Sequence, residues 1–345
     1  MRYVLIDTTN MFFRARHQAH RASDTWTKLG FAIHLTIMSA NKVARKFGAD
    51  HIVFALEGRS WRKDVYKPYK ANRTEARQAL NEEEAEEDKL FWETYDNLTK
   101  YLSTKTNCSV IRCATAEADD VIARWIALHP QDEHVIVSSD SDFVQLVAPN
   151  VRLYNGINDH LFTVNGVEDD KGRSLKFTVK SDSKIKVEKH DPDFVPPADY
   201  QRWALFLKCI RGDAGDNVFS AYPGAPIKGS KNRVGLTEAF EDRDKKGYNW
   251  NNLMLQRWID HEGVEHRVRD CYERNRTLID LTAQPDDVKA GIDNALLAIT
   301  PKNKLMVGAQ FIKFCGKYDL VKLGESAQQM GEILSKSLPK EIADA

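Results

Sequence analysis

Short apolar runs that end on carboxylates constrain this chain more than any other feature. Tyr3-Val4-Leu5-Ile6 runs into Asp7, and Val135-Ile136-Val137 runs through two serines into Asp140 and Asp142. Brief, continuously apolar runs of this kind, spaced by longer helix-period stretches, read as buried strands of a parallel sheet. His51-Ile52-Val53-Phe54, Cys108-Ser109-Val110-Ile111 and Val151-Arg152-Leu153-Tyr154 supply three more. Between them, residues 29–47 carry helical spacing and stop at Gly48. A long helix is expected through 82–102, another over 117–128, and a short one beginning at 143–147. This alternation predicts an α/β fold: a mostly parallel central sheet with helices on both faces. Functional groups in such sheets collect at the carboxyl ends of the strands, where Asp7 and Asp140 fall.

Beyond the fifth strand the pattern changes. Residues 158–190 alternate apolar and charged positions around Gly166 and Gly172, as small hairpins do. Pro196-Pro197 marks a boundary, and the chain beyond it reads as helical to its end, with a glycine- and lysine-rich loop at 223–235. The expected division is an α/β unit over 1–195 and a helical unit over 196–345. With 345 residues, 42% hydrophobic and 29% charged, the chain can bury a sizeable core. No apolar run approaches the ~20 residues of a membrane span, and no signal segment precedes the first strand. Five cysteines without a C-x-x-C pair fit buried thiols in a reducing cytoplasm.

Four acidic clusters stand out: Asp7; Glu117, Asp119 and Asp120; Asp140 and Asp142; and Asp213 and Asp216. Each alone could cap a turn or a helix. Gathered together they would repel one another unless a cation intervened. Hard divalent ions take all-oxygen ligand sets, and a pair of them suits phosphodiester hydrolysis. Glu117 and Asp120, three apart, share one helical face from which Asp119 diverges. The net charge of zero hides a basic segment in which Trp61, Tyr66 and Tyr69 alternate with Arg62, Lys63, Lys67, Lys70 and Arg73. That mixture suits a phosphate backbone and stacked bases. The acidic run that follows, Glu82 to Asp88, reads as a solvated helix face. Lys228, Lys231 and Arg233 form a second basic loop beside an expected helix start, as phosphate-binding loops do. H-E-x-x-H, G-x-S-x-G and P-loop patterns are absent, which disfavours zinc, serine and nucleotide-hydrolase chemistry.

Taken in order, Leu5-Ile6-Asp7-Thr8-Thr9-Asn10, Tyr69-Lys70-Ala71-Asn72-Arg73, Glu117-Ala118-Asp119-Asp120, Ser139-Asp140-Ser141-Asp142 and Gly212-Asp213-Ala214-Gly215-Asp216-Asn217 resemble the flap endonucleases. The likeness is nearest to the branch of bacterial 5′–3′ exonucleases and bacteriophage ribonuclease H, and it covers about residues 3–240. It implies a PIN-like nuclease fold with a helical arch over about 58–102, a helix–two-turn–helix element that binds duplex, and a helical C-terminal region. It makes the eight acids of the clusters holders of two Mg²⁺ ions, with Mn²⁺ a substitute. It places Tyr69, Lys70 and Arg73 at the arch base against the scissile phosphate, and Arg62, Lys63, Lys67, Lys228, Lys231 and Arg233 on nucleic acid. Two positions depart from the pattern. Ala55 stands where the family has an aspartate, so Glu57 is the expected replacement. Pro223 to Gly229 is only roughly the family's hairpin, where a K⁺ ion binds.

The expected substrates are DNA with 5′ flaps, nicks or RNA primers, cut by a monomer in the cytoplasm (the host's, if phage-encoded). A single-strand-binding protein or clamp is the expected partner. The rival readings are a PIN-class single-strand ribonuclease and a non-catalytic, structure-specific DNA-binding protein.

Overall fold

The computed structural model describes residues 1–18 and 24–339. Strand β1 (Arg2–Asp7) leads into α1 (Thr8–Gln18) and α2 (Thr25–Lys46), and β2 (His51–Leu56) follows. Three helices intervene, α3 (Arg62–Val65), α4 (Ala71–Gln78) and α5 (Glu82–Lys105), before β3 (Ser109–Arg112), α6 (Ala118–Leu128), β4 (Glu133–Val137), a 3-10 turn over Ser141–Leu146, and β5 (Val151–Asn155). These five strands are parallel, in the order β3-β2-β1-β4-β5. An antiparallel meander extends the sheet: β6 (His160–Thr163), β7 (Gly166–Glu168), β8 (Ser174–Val179) and β9 (Ile185–His190).

Alternation of side chains across the sheet builds two apolar layers from one set of strands. Val4, Ile6 and Phe54 face α2 and α5, through Leu29, Ile33, Phe91 and Leu98. Tyr3, Leu5, Val53 and Ile136 face α6, through Val121, Ile122 and Trp125. Each such side chain taken fully from water contributes about 1.5–3 kcal/mol before entropy is counted.

Register positions the site. Asp7 lies opposite Ala55 of β2, and Ile6 lies between Phe54 and Val137, so β1, β2 and β4 end level with one another. The segments leaving them, at Asp7, Glu57 and Ser138–Asp140, therefore emerge along one edge.

The chain after Pro197 is not helical throughout. It comprises α7 (Tyr200–Arg211), α8 (Leu236–Glu241), α9 (Tyr248–Leu255), a hairpin of β10 (Arg257–Ile259) and β11 (Glu265–Arg267), α10 (Val268–Ile279), α11 (Asp286–Leu297), α12 (Val307–Lys317), α13 (Val321–Glu325) and α14 (Ala327–Leu334). Nor does it pack as one piece. Phe206, Leu207, Leu236 and Leu253 form a cluster of their own, whereas Val288 and Ile292 of α11 join the α6 layer. Phe311, Phe314 and Met330 of α12 and α14 join the α2–α5 layer. Among the described residues no helix is long and apolar enough to cross a membrane.

Candidate active site

One cavity of about 770 Å³ opens at the carboxyl edge of the sheet. Asp7, Glu57, Glu117, Asp119, Asp140, Asp142, Asp213 and Asp216 line it, with Lys70, Arg73, Lys208 and Arg211. The four clusters, separated by up to two hundred residues, thus meet at one place.

Partners divide these carboxylates into two sets. Lys208, which the motif reading missed, contacts Asp142 and lies 2.6 Å from Asp213. Burial pulls its pKa down, but the two acids more than offset this and hold it above the ordinary lysine range. Asp216 accepts from Arg73 at 2.7 Å and has the Tyr69 hydroxyl at 2.9 Å. Glu117 contacts Lys70 and accepts from Ser60 and Arg62, each at 2.8 Å. Burial alone would raise Glu117, yet Lys70 and Arg62 bring it down to about 2.

The other set is Asp7, Glu57, Asp119 and Asp140. Among the described residues none of these four has a lysine or arginine within 4.0 Å. Asp7 is buried, and desolvation pushes it up to about 6 despite the Ser138 hydroxyl at 2.9 Å. Glu57 rises to about 7 through desolvation and the Glu117 charge, although the Ala118 N–H donates to it at 3.1 Å. Asp119 is raised by desolvation and by Asp120. Asp140 faces the open cavity yet is crowded by protein atoms, and this crowding and Asp142 push it up to about 6. Acids held this way lack an ion-paired cation, and their oxygens are the donors that hard divalent cations take.

Several expected roles shift once partners are known. Both Asp120 oxygens accept from Arg62 at 2.8 Å, and Trp61 and Gln284 donate to them at 3.0 Å. An Asp120 oxygen lies within 4.8 Å of oxygens from Glu117 and Asp119, but each Asp120 oxygen already accepts from two of these donors. Glu117 and Asp120 do share a helical face, and it points inward at Arg62. Asp119, the residue that diverges from that face, is the one lining the cavity with Glu117.

Arg62, expected on nucleic acid, is fully buried, so this reading is corrected. Its guanidinium spans Glu117, Asp120 and the Leu278 carbonyl at 2.7 Å, tying the start of the arch to α6 and α10. Lys63 and Lys67 of the same segment are exposed. Tyr69 is 3% exposed and its hydroxyl sits between Glu117 and Asp216, so in this structure it holds carboxylates.

Lys70 takes the left-handed backbone conformation at φ 52°, with its N–H on the Asp216 carbonyl at 2.8 Å. A non-glycine residue pays for that conformation, and here it aims the side chain at Glu117. Helix α4, which follows, has no buried residue, and the Asn81–Glu84 capping box starts α5 on an exposed acidic turn. Glu82 to Glu86 are exposed as the solvated-face reading has it, whereas Glu87 and Asp88 are half-buried and pair with Lys28 and Arg77. Asp140 is both things its sequence allowed: it caps the 3-10 turn through the Asp142 N–H at 2.9 Å and lines the cavity. Gly212, at φ 78°, closes the Asp213–Val218 bridge where a Cβ would sit 2.2 Å from the Val218 carbonyl. Asn10 also escaped notice; its Oδ1 accepts from the Ser139 hydroxyl at 2.7 Å and so fixes the β4 exit against α1.

Lys228 and Lys231 are exposed on the α7–α8 loop. Arg233 is exposed too, but its guanidinium braces that loop through the Tyr222 hydroxyl at 3.1 Å and the Gly224 carbonyl.

Residues 2–172 match the family described as "5′–3′ exonuclease, N-terminal resolvase-like domain". The flap endonuclease Xni of Shewanella loihica is 25% identical over 69% of this chain and 77% of its own. The chain belongs to the flap endonuclease and 5′–3′ exonuclease family. DNA polymerase I of Rhizobium leguminosarum is 27% identical over 73% of this chain, which spans only 20% of that longer protein. The fold of this family member is also that of the bacteriophage T5 flap endonuclease, solved in a pseudo-enzyme–product complex with DNA and metal ions. That likeness has a TM-score of 0.53 at 17% identity, over 96% of this chain and all of the other.

Proposed function

We propose that this family member cuts DNA near 5′ ends, at flaps, nicks or RNA primers, with Mg²⁺ as its natural ion. It is a metal-dependent 5′ nuclease, a hydrolase of phosphodiesters. One observation carries the finer reading: Asp7, Glu57, Asp119 and Asp140 line one cavity without a cationic partner, among acids that do have one.

These four, with Glu117 beside them, are the residues that would hold divalent ions. Such ions, when bound, supply hydroxide at neutral pH and neutralise the phosphate. The chain's own groups do the remainder. Lys70, half-buried yet kept cationic by Glu117 and Asp216, offers a fixed positive charge where negative charge develops on the phosphate. Arg73, with its side chain 60% exposed, can turn from Asp216 to a phosphate oxygen at small cost. Lys208 keeps Asp142 and Asp213 from repelling each other, so a second ion near them must compete with an ammonium. Lys228 and Lys231 are placed to anchor duplex from the second loop.

The test compares a labelled 5′-flap duplex with the same strand alone, in Mg²⁺ and in EDTA. Metal-dependent cutting of the duplex near its 5′ end supports the reading. Preference for the single strand would favour the ribonuclease-like rival. Binding without turnover would favour the non-catalytic one.

A further inference from the structure

The β8–β9 hairpin lies beyond residue 172, where the family match ends, and the catalytic reading gives it no work. Its tip nevertheless forms part of the cavity wall: Asp182, Ser183, Lys184 and Ile185 line the same space as Asp140 and Asp213. The tip is held firmly. Val179 packs against both the α6 layer and the α7–α9 cluster, and Phe177 meets Tyr200 with ring centroids 4.8 Å apart. The Lys180 N–H and the Ser183 N–H close the turn at 2.8 and 2.9 Å, with Ser183 left-handed at φ 69°.

Arg211, also lining the cavity, ties this tip to the basic loop. It donates to the Ser181 carbonyl at 3.0 Å and to the Ala225 carbonyl at 2.8 Å. Among the described residues no carboxylate lies within 4.0 Å of Arg211, so its charge is uncompensated by any acid. Lys184 is 80% exposed, and its one acidic neighbour, Asp182, stands 3.7 Å away. A surface pair of that length contributes little, and Asp182 is in any case turned onto the Lys184 N–H at 3.3 Å. Lys184, and Arg211 through the N–H groups left over from its bonds to Ser181, Ala225 and, at 3.5 Å, Pro223, thus border a cavity whose substrate is a polyanion.

We propose that the β8–β9 tip is a second nucleic-acid contact of the active-site cleft, meeting backbone phosphates through Lys184 and Arg211. The identity of the ligand rests on the nuclease reading. Since Arg211 joins the tip to the 223–225 segment, duplex held by Lys228 and Lys231 and strand held by Lys184 would share one brace.

The experiment uses the full chain with Asp140→Asn, so that labelled flap duplex is bound in Mg²⁺ and not consumed. Anisotropy titrations across salt compare it with versions also carrying Lys184→Gln or Lys184→Glu. Lys171→Gln, in the exposed turn between β7 and β8, is the control for a general change in charge. The expected result for Lys184→Gln is affinity about three- to tenfold weaker, with the salt slope shallower by roughly 0.7–0.9, and a larger loss for Lys184→Glu. In the otherwise wild-type chain, half-saturation should rise while the saturated single-turnover rate stays within about twofold. A photo-crosslinker on Lys184→Cys should capture the DNA. Affinity and slope unchanged in both Lys184 variants, or changed equally by Lys171→Gln, overturn the proposal. Failure of the wild-type chain to cleave would sink the nuclease reading, and the anisotropy and crosslinking would still decide the tip.

Discussion

Asp119 and Asp120 are adjacent in sequence and opposite in work. Asp119→Asn removes a cavity oxygen that no cation neutralises, so it should abolish cleavage while leaving thermal stability equal or higher. Asp120→Asn removes one of the two carboxylates paired with the buried Arg62 guanidinium and leaves Glu117 alone against it, and weakening such a pair costs up to about 3–5 kcal/mol. Thermal denaturation and a cleavage assay on the two variants separate these effects. Equal stability losses would refute the division. Arg62→Met should lose stability by a similar amount and leave Glu117 less firmly placed. Most of the acids were legible, because they follow a recognisable strand or open a helix; Asp213 and Asp216, in the loop after α7, were legible only as part of a motif. Which oxygen faces the cavity was not. That depends on Arg62, which in sequence sits in a run of otherwise exposed cations such as Arg59 and Lys63, and on Gln284, more than a hundred residues away. Lys208 was equally hidden, since a lone lysine in a helix has no local mark of burial.

The arch base and the basic loop should separate chemistry from affinity. Lys70→Ala and Arg73→Ala should slow single-turnover cleavage at saturating enzyme by at least about tenfold, because in the proposed mechanism they face the charge that grows in the transition state. Lys228→Ala and Lys231→Ala should instead weaken binding and make the salt slope shallower by about 0.9 each. Lys70 variants that cleave normally once saturated would reduce it to an ordinary surface charge. The five parallel strands were readable to within two residues, since buried parallel strands carry a continuous apolar signal, whereas the short helices α3 and α4 that flank Lys70 were not anticipated. The β10–β11 hairpin was not, as three-residue strands leave too short a pattern to distinguish from a loop.

Across the whole chain, metal and protons compete for one set of groups. Asp7 and Asp140 at about 6, and Glu57 at about 7, lie above their unfolded values. They stabilise the metal-free fold at low pH, and that contribution is lost as pH rises through 6 to 7. His51 and His134, held down to about 4 by burial, work oppositely: their contribution is present above pH 6.5 and is lost as pH falls toward 4. Neither histidine lines the cavity, so their effect cancels in the difference between metal-bound and metal-free protein. The Tm gain on adding Mg²⁺ should therefore be larger at pH 8 than at pH 5. A gain independent of pH would mean that these carboxylates are not the ones taking the ion. The return of α11–α14 to the sheet was not foreseeable, because an amphipathic helix does not encode which core it will join. It bears on function all the same, since truncation before α11 would strip apolar cover from both faces of the sheet.

The central claim is that the uncompensated acids of the cavity hold the catalytic ions. Anomalous scattering from crystals soaked in Mn²⁺ tests it most directly. Manganese should appear within coordination distance of Asp7 and Asp140, with Glu57 or Asp119 among its ligands. A cavity empty of manganese in protein that cleaves DNA with that metal, or manganese bound only elsewhere, would contradict the account.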